Sequence, residues 1–132
     1  MSDMSGTTIR TPAVRIKIQI YCGEDIAMGP GKADLLDAIA REGSISAAGR
    51  ALRMSYRRCW MLVDVMNRCW ASPLVATHSG GARLTEAGTR VLQYYRGLQA
   101  AAGEAAGHHE GALLAMLRDE PLPVQAEPDQ RH

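Results

Sequence analysis

Phenylalanine is absent from this 132-residue chain, and aromatics of any kind make up 5% of it. A core must therefore come from aliphatics, methionine and a few large rings, which at this length allows one modest domain with tails. No apolar stretch approaches the roughly 20 residues of a membrane helix, and no cationic leader followed by an apolar run opens the sequence. A cytoplasmic protein with no membrane partner is expected. Cysteine is scarce: Cys22, Cys59 and Cys69 form no C-x-x-C pair, and the last two, on one expected helix, stand too far apart to bridge. Reduced, buried thiols are the expectation. No Ser/His/Asp or Cys/His nucleophile set, phosphate-cradling loop or metal quartet is present, so the chain reads as a non-enzyme with no cofactor and no metal site. The net charge is only +1, so any strong field must come from uneven distribution.

That unevenness lies between residues 41 and 70. Six arginines (Arg41, Arg50, Arg53, Arg57, Arg58, Arg68) face two acids (Glu42, Asp64), an excess of +4 that suits a polyanion. The same stretch reads as two helices joined by a tight turn. Ser44 is a candidate N-cap, and Ile45, Ala48, Gly49 and Leu52 recur at the spacing of one helix face. Arg53-Met54 is the connection, and Ser55 caps the second helix. There Cys59, Val63, Met66 and Trp70 fall on one side, while Tyr56, Arg57, Trp60, Met61 and Asp64 fall largely on the other, with Arg58 near the boundary. A buried seam behind a basic outer face is the pattern of a DNA-reading helix-turn-helix, the alternative being a plain αα-hairpin.

Around this pair, residues 1–12 are small, polar and expected to be flexible. Val14, Ile16, Ile18 and Ile20 alternate with polar residues, which predicts a half-buried strand with a partner later in the chain. From Lys32 an amphipathic helix runs to Gly43, a good terminal glycine. After Pro73, Leu74–Thr77 and Arg83-Leu84 read as two short strands flanking a Ser79-Gly80-Gly81 turn, a hairpin of wing size. Thr85 caps a long helix continuing to about Ala106, whose small residues suit a two-fold contact or antiparallel packing within the chain. Gly107-His108-His109 is expected to interrupt it before a short helix over 111–117. The adjacent histidines, with Glu104 and Glu110 nearby, read as solvent-exposed because helical neighbours diverge by about 100° and cannot converge on a metal. A Pro-rich acidic tail, expected to be disordered, closes the sequence. The expected organisation is thus 1–12, a domain over 13–106, and a short helix with tail over 107–132.

GSISAAGRALRMS resembles the N-terminal motif of LysR-type regulators. SYRRCWMLVDVMN, followed by a Gly-rich wing ending ARLTEAG, resembles more specifically the DNA-binding domain of the molybdate-responsive ModE family. In that family the reading helix similarly begins Ser-Tyr and a basic residue, with Trp four positions after the Tyr and Met-Asn later, as Trp60, Met66 and Asn67 stand here. The resemblance covers roughly residues 14–106. It implies a mainly α fold with a small β component, a winged helix-turn-helix with a long C-terminal dimerisation helix, acting as a regulator of transcription on double-stranded DNA. ModE proteins with a molybdate sensor continue into further oxyanion-binding domains. The expectation here is a chain without one, acting constitutively or through a separate signalling protein.

On this reading a homodimer binds palindromic operator DNA. Ser44 and Ser46 would hold phosphate at a helix N-terminus. Arg53 would stand at the turn, and Ser55, Tyr56, Arg57, Arg58 and Trp60 would face the major groove, with Arg57 first for base readout. Trp60 is either a contact to sugar or thymine methyl or a half-buried anchor between helices. His78, Gly80, Gly81 and Arg83 would meet the flanking backbone. The rival is a winged-helix interaction module whose basic face binds an acidic protein or the chain's own acidic tail. Cys59, on the apolar seam, reads as an inert core thiol rather than a redox sensor.

Overall fold

A computed structural model describes residues 11–127. Most of the N-terminal arm and the last five tail positions, 128–132, lie outside the described residues. Eight elements follow one another: β1 (Ile20–Cys22), β2 (Asp25–Met28), α1 (Pro30–Glu42), α2 (Ile45–Leu52), α3 (Tyr56–Cys69), β3 (Val75–His78), β4 (Gly81–Leu84) and α4 (Glu86–Ala115). Residues 16–105 form one compact unit; of the described residues, 11–15 and 106–127 belong to another.

α1 starts on Pro30, whose missing N–H costs nothing in the first turn and whose fixed φ suits a helix. It ends where Gly43, left-handed at φ 83°, donates its N–H to the Ile39 carbonyl at 2.9 Å. Ser44 then caps α2 by accepting from the Ala47 N–H at 3.0 Å, and Ser55 caps α3 by accepting from the Arg58 N–H at 3.1 Å. The turn between them is held by the Met54 N–H donating to the Gly49 carbonyl at 2.8 Å, with Arg53 left-handed at φ 59°. Gly49 is required there. A Cβ would stand 2.9 Å from the Met54 oxygen and 3.0 Å from the Cys59 sulfur, so any side chain would push α2 off α3. The caps Ser44 and Ser55, the terminal Gly43 and the Arg53-Met54 turn are expected from the residues, whereas the start of α1 at Pro30, two positions before Lys32, is not.

The core joins Leu35, Leu36 and Ile39 of α1, Ile45 and Ala48 of α2, Cys59, Val63 and Met66 of α3, and Leu74, Val75 and Ala82 of the hairpin. Asn67 ties the end of α3 to the start of β3. Its amide nitrogen donates to the Val75 carbonyl at 3.1 Å, and its oxygen accepts from the Leu74 and Val75 N–H groups at 2.8 and 3.1 Å. Trp70 caps α3 and donates its indole N–H to the Ala27 carbonyl at 3.0 Å. β3 and β4 pair antiparallel from Val75↔Leu84 to His78↔Gly81. Thr85 accepts from the Gly88 N–H at 2.9 Å and so caps α4, while its hydroxyl donates to the Pro73 carbonyl at 2.6 Å. α4 is fastened to α1 by Arg96, which meets Asp34 at 2.8 Å and Asp37 at 2.6 Å.

Four expectations need correction. The strand predicted over 14–20 is reduced to Ile20–Cys22, and its partner is the segment immediately following, Asp25–Met28. A bulge shifts the register between Ile20 and Tyr21, and Ile20 opposite Met28 is the last pair. Upstream the Ile18 carbonyl accepts from the Tyr95 hydroxyl at 2.7 Å instead of from a strand, and Val14 and Ile16 are exposed. The break at Gly107 does not occur, and α4 runs unbroken to Ala115. Gly81 belongs to β4 rather than to the turn. Among the thiols only Cys59 is buried, with Cys69 half-buried and Cys22 exposed. Residues 116–127 carry neither helix nor strand.

Candidate nucleic-acid interface

At about 100° per residue, the buried Cys59, Val63 and Met66 define the inner side of α3, and the opposite side carries Arg57, Met61, Asp64 and Arg68. Tyr56 and Trp60 lie on one flank of that outer face, while Arg58 and Leu62 lie on the other. Arg57 and Arg58 are exposed, and Tyr56, Trp60 and Met61 keep 56%, 50% and 52% of their surface open to solvent. Tyr56, Trp60 and Met61 thus stand open beside Arg57 and Arg58, which have no ion-pair partner among the described residues. Trp60 is half-exposed, as both readings of it from the sequence allow. Arg68 pairs with Asp64 at 3.0 Å, and that hydrogen bond raises its pKa and occupies its guanidinium.

The Tyr56 flank opens on a cleft of about 420 Å³ lined by Ser44, Ser46, Tyr56, Thr77, His78, Gly80 and Gly81. Six of the twelve predicted site residues are thus brought together at the junction of the α2 N-terminus, the start of α3 and the wing tip. The wing is seated there by the Ala82 N–H donating to the Gly43 carbonyl at 2.8 Å. A Cβ on Gly81 would come to 2.6 Å from that same carbonyl, so the close seating depends on glycine. The His78 ring lies beside Gly81 with Nδ1 3.2 Å from the Ser79 carbonyl oxygen. Ser44 spends its hydroxyl on the helix cap, whereas Ser46 is exposed and has no side-chain hydrogen bond among the described residues. Arg53, Ser55, Arg57, Trp60 and Arg83 are exposed but line no cleft with these residues.

Arg58 lines a different recess of about 200 Å³, with Lys17, Gln19, Ile26, Gly29, Lys32 and Leu62 among its walls. Burial lowers the pKa of Lys32; the charge of Arg58 acts in the same direction, while Cys69 and Asp25 oppose it. Local pattern alone marks none of Lys17, Gln19, Lys32 and Thr77 as site residues. Lys17 falls on the polar side of an alternating run and Lys32 at a helix start, and only the packing of β2, α1 and α3 brings those two beside Arg58. Among the described residues no group of three or more His, Cys, Asp or Glu side chains is placed to hold a metal ion, and no helix is long and apolar enough to cross a membrane.

The sequence profile described as "Bacterial regulatory helix-turn-helix protein, lysR family" matches residues 32–89. Among curated proteins, the chain is 37% identical over 93 residues to a molybdenum-pterin-binding protein MopA of Rhodobacter capsulatus, covering 67% of this chain and 35% of that one. It is 37% identical over 78 residues to a molybdenum transport protein ModE of Azotobacter vinelandii, covering 55% and 29%. The chain thus spans about a third of the length of these relatives. Among solved structures, the CbnR DNA-binding domain in its DNA complex superposes with a TM-score of 0.54 at 22% identity, over 63% of this chain and 95% of that one. Full-length LysG of Corynebacterium glutamicum superposes with a TM-score of 0.51 at 29% identity, over 65% and 30%. The winged-helix fold is shared with these structures over the superposed residues, and here a long helix, α4, follows the wing.

Proposed function

We propose, from the premise that residues 32–89 are a LysR-family bacterial regulatory helix-turn-helix, that this protein is a ModE-like, sequence-specific DNA-binding regulator of transcription. It acts as a homodimer on palindromic sites. The observation that carries the reading is α3 itself: its inner side is sealed in the core, and its outer side presents Arg57, Tyr56, Trp60 and Met61 to solvent. In the major groove Arg57 bonds a guanine through two parallel donors, and Trp60 packs on sugar or a thymine methyl. Ser46, His78, Gly80 and Arg83 border the adjacent backbone. The exposed Arg53 and Ser55 stand at the entry to α3. Support from outside the chain comes from the relatives named for ModE and from the DNA-bound CbnR domain.

Selection of bound duplexes from a random pool, followed by affinity measurement across salt concentrations, tests the reading. The expected outcome is a palindrome with half-sites about 34 Å apart or a multiple of it, and a log–log salt slope of several units. Enrichment of no sequence, or a flat salt response, would return the basic face to a protein partner.

A further inference from the structure

A helix lying in the major groove, about 12 Å wide in B-DNA, is bordered by a phosphate backbone on each side. The cleft of Ser44, Ser46, His78 and Gly80 serves one border, on the Tyr56 flank of α3. Residues Tyr56 and Arg58 are about 200° apart around the helix, so the recess of Lys17, Lys32 and Arg58 lies on the opposite flank. Its walls come from the segment before β1, from β2, from the start of α1 and from α3, and they include three cations, one amide side chain and no carboxylate.

We infer that this recess is a second backbone clamp, in which Lys17, Lys32 and Arg58 hold the phosphates of the DNA strand on the flank of α3 away from the wing. The inference rests on the DNA-binding reading above and adds a path for the second strand. Three observations carry it. Among the described residues none of the three cations has an ion-pair partner, unlike Arg41, Arg68 and Arg96. The three line one hollow instead of spreading over a face; Asp25 acts on Lys32 from outside the hollow, and no carboxylate lines the hollow itself. The start of α1 contributes the same sign, with no acidic residue in its first turn. The occupant is a polyanion whose phosphates continue past the hollow, because Arg58 adjoins Arg57 in sequence and shares its helix with the reading face.

The clamp touches phosphate and no base edge, so its loss must weaken binding to all sequences alike. The test compares the full chain with Lys17→Ala, Lys32→Ala and the double substitution. Each is titrated by fluorescence anisotropy against a selected duplex and a random duplex of equal length. The expected result for the double variant is an equal fold-loss on both duplexes and a log–log salt slope lower by about 1.8 per protomer, since each lost phosphate contact removes about 0.9. Lys17→Arg with Lys32→Arg should restore slope and affinity. An unchanged slope, or a loss confined to the selected duplex, overturns the clamp. Loss of thermal stability together with affinity, unrescued by the arginine pair, assigns the lysines to the fold and also overturns it. Failure of the DNA reading itself is distinguishable, because the unsubstituted chain would then bind neither duplex.

Discussion

α3 and α4 are both helices capped by a hydroxyl side chain, yet they are held in opposite ways. In its 14 residues α3 buries Cys59, Val63 and Met66 at i, i+4 and i+7, a continuous seam along one side. Across its 30 residues α4 buries only Gly88 and Tyr95, both in the first third. The first helix is fixed in rotation by its core, which is what allows the opposite side to carry chemistry at defined positions. The second is fixed at a few points: Gly88 packed on the Leu74 carbonyl, the Tyr95 hydroxyl on Ile18, and Arg96 on Asp34 and Asp37. Of these, the half-exposed ion pairs contribute least.

The largest effect should come from setting the two sides of α3 against each other. Met66, fully buried, should cost about 2–5 kcal/mol when replaced by alanine, through lost transfer energy and the cavity left behind. Arg57→Ala should leave stability within about 0.5 kcal/mol and instead remove about 1–3 kcal/mol of discrimination at one base position. Urea unfolding and binding to single-base variants of a selected site separate the two. A stability loss of equal size from both would mean that Arg57 belongs to the fold.

An intermediate effect is expected where α4 meets the core. Tyr95 is 2% exposed, and its hydroxyl bonds the Ile18 carbonyl at 2.7 Å. Burial raises the phenol's pKa, with Arg96 opposing and Asp34 assisting. The folded chain therefore holds this proton more tightly than the unfolded chain does. That stability is whole below the unfolded tyrosine range, near pH 10, and is lost as pH rises through the raised folded value. Tyr95→Phe should cost about 0.5–1.5 kcal/mol at neutral pH and flatten the alkaline decline, read as urea midpoints at pH 7 and at about pH 10.5. A variant with the same alkaline slope as the parent would place the titration elsewhere.

The same contrast explains what the residues disclosed in advance. Where a seam is dense, as in α1 to α3, spacing, caps and the terminal glycine located each helix to within two residues, and the outward placement of Arg57 and Tyr56 followed from rotation alone. The alternation over Val14–Ile20 was misleading because period two marks extended backbone and says nothing about which carbonyl meets which donor. Here a bulge and the Tyr95 hydroxyl intervene. The recess around Lys17 and Lys32 was invisible for a related reason: its walls are far apart in sequence, and no local pattern encodes their convergence.

The smallest predicted effect concerns the helix break that was expected and does not occur. Gly107 sits inside α4, and a Cβ built there meets nothing within 4 Å. Glycine in an exposed helix interior costs about 0.5–1 kcal/mol relative to alanine, so it weakens the helix without ending it. Because no residue of α4 beyond Tyr95 is buried within one copy of the chain, opening of this segment in the monomer, studied at dilute protein, is decoupled from the core and proceeds as local unfolding. Gly107→Ala should therefore raise amide-exchange protection over residues 103–112 by roughly two- to five-fold, the equivalent of that 0.5–1 kcal/mol, while the urea midpoint of the whole domain stays where it was. A shift of the global midpoint by the full amount would show that the far part of α4 melts together with the core, and that the contrast between the two helices is one of packing density alone.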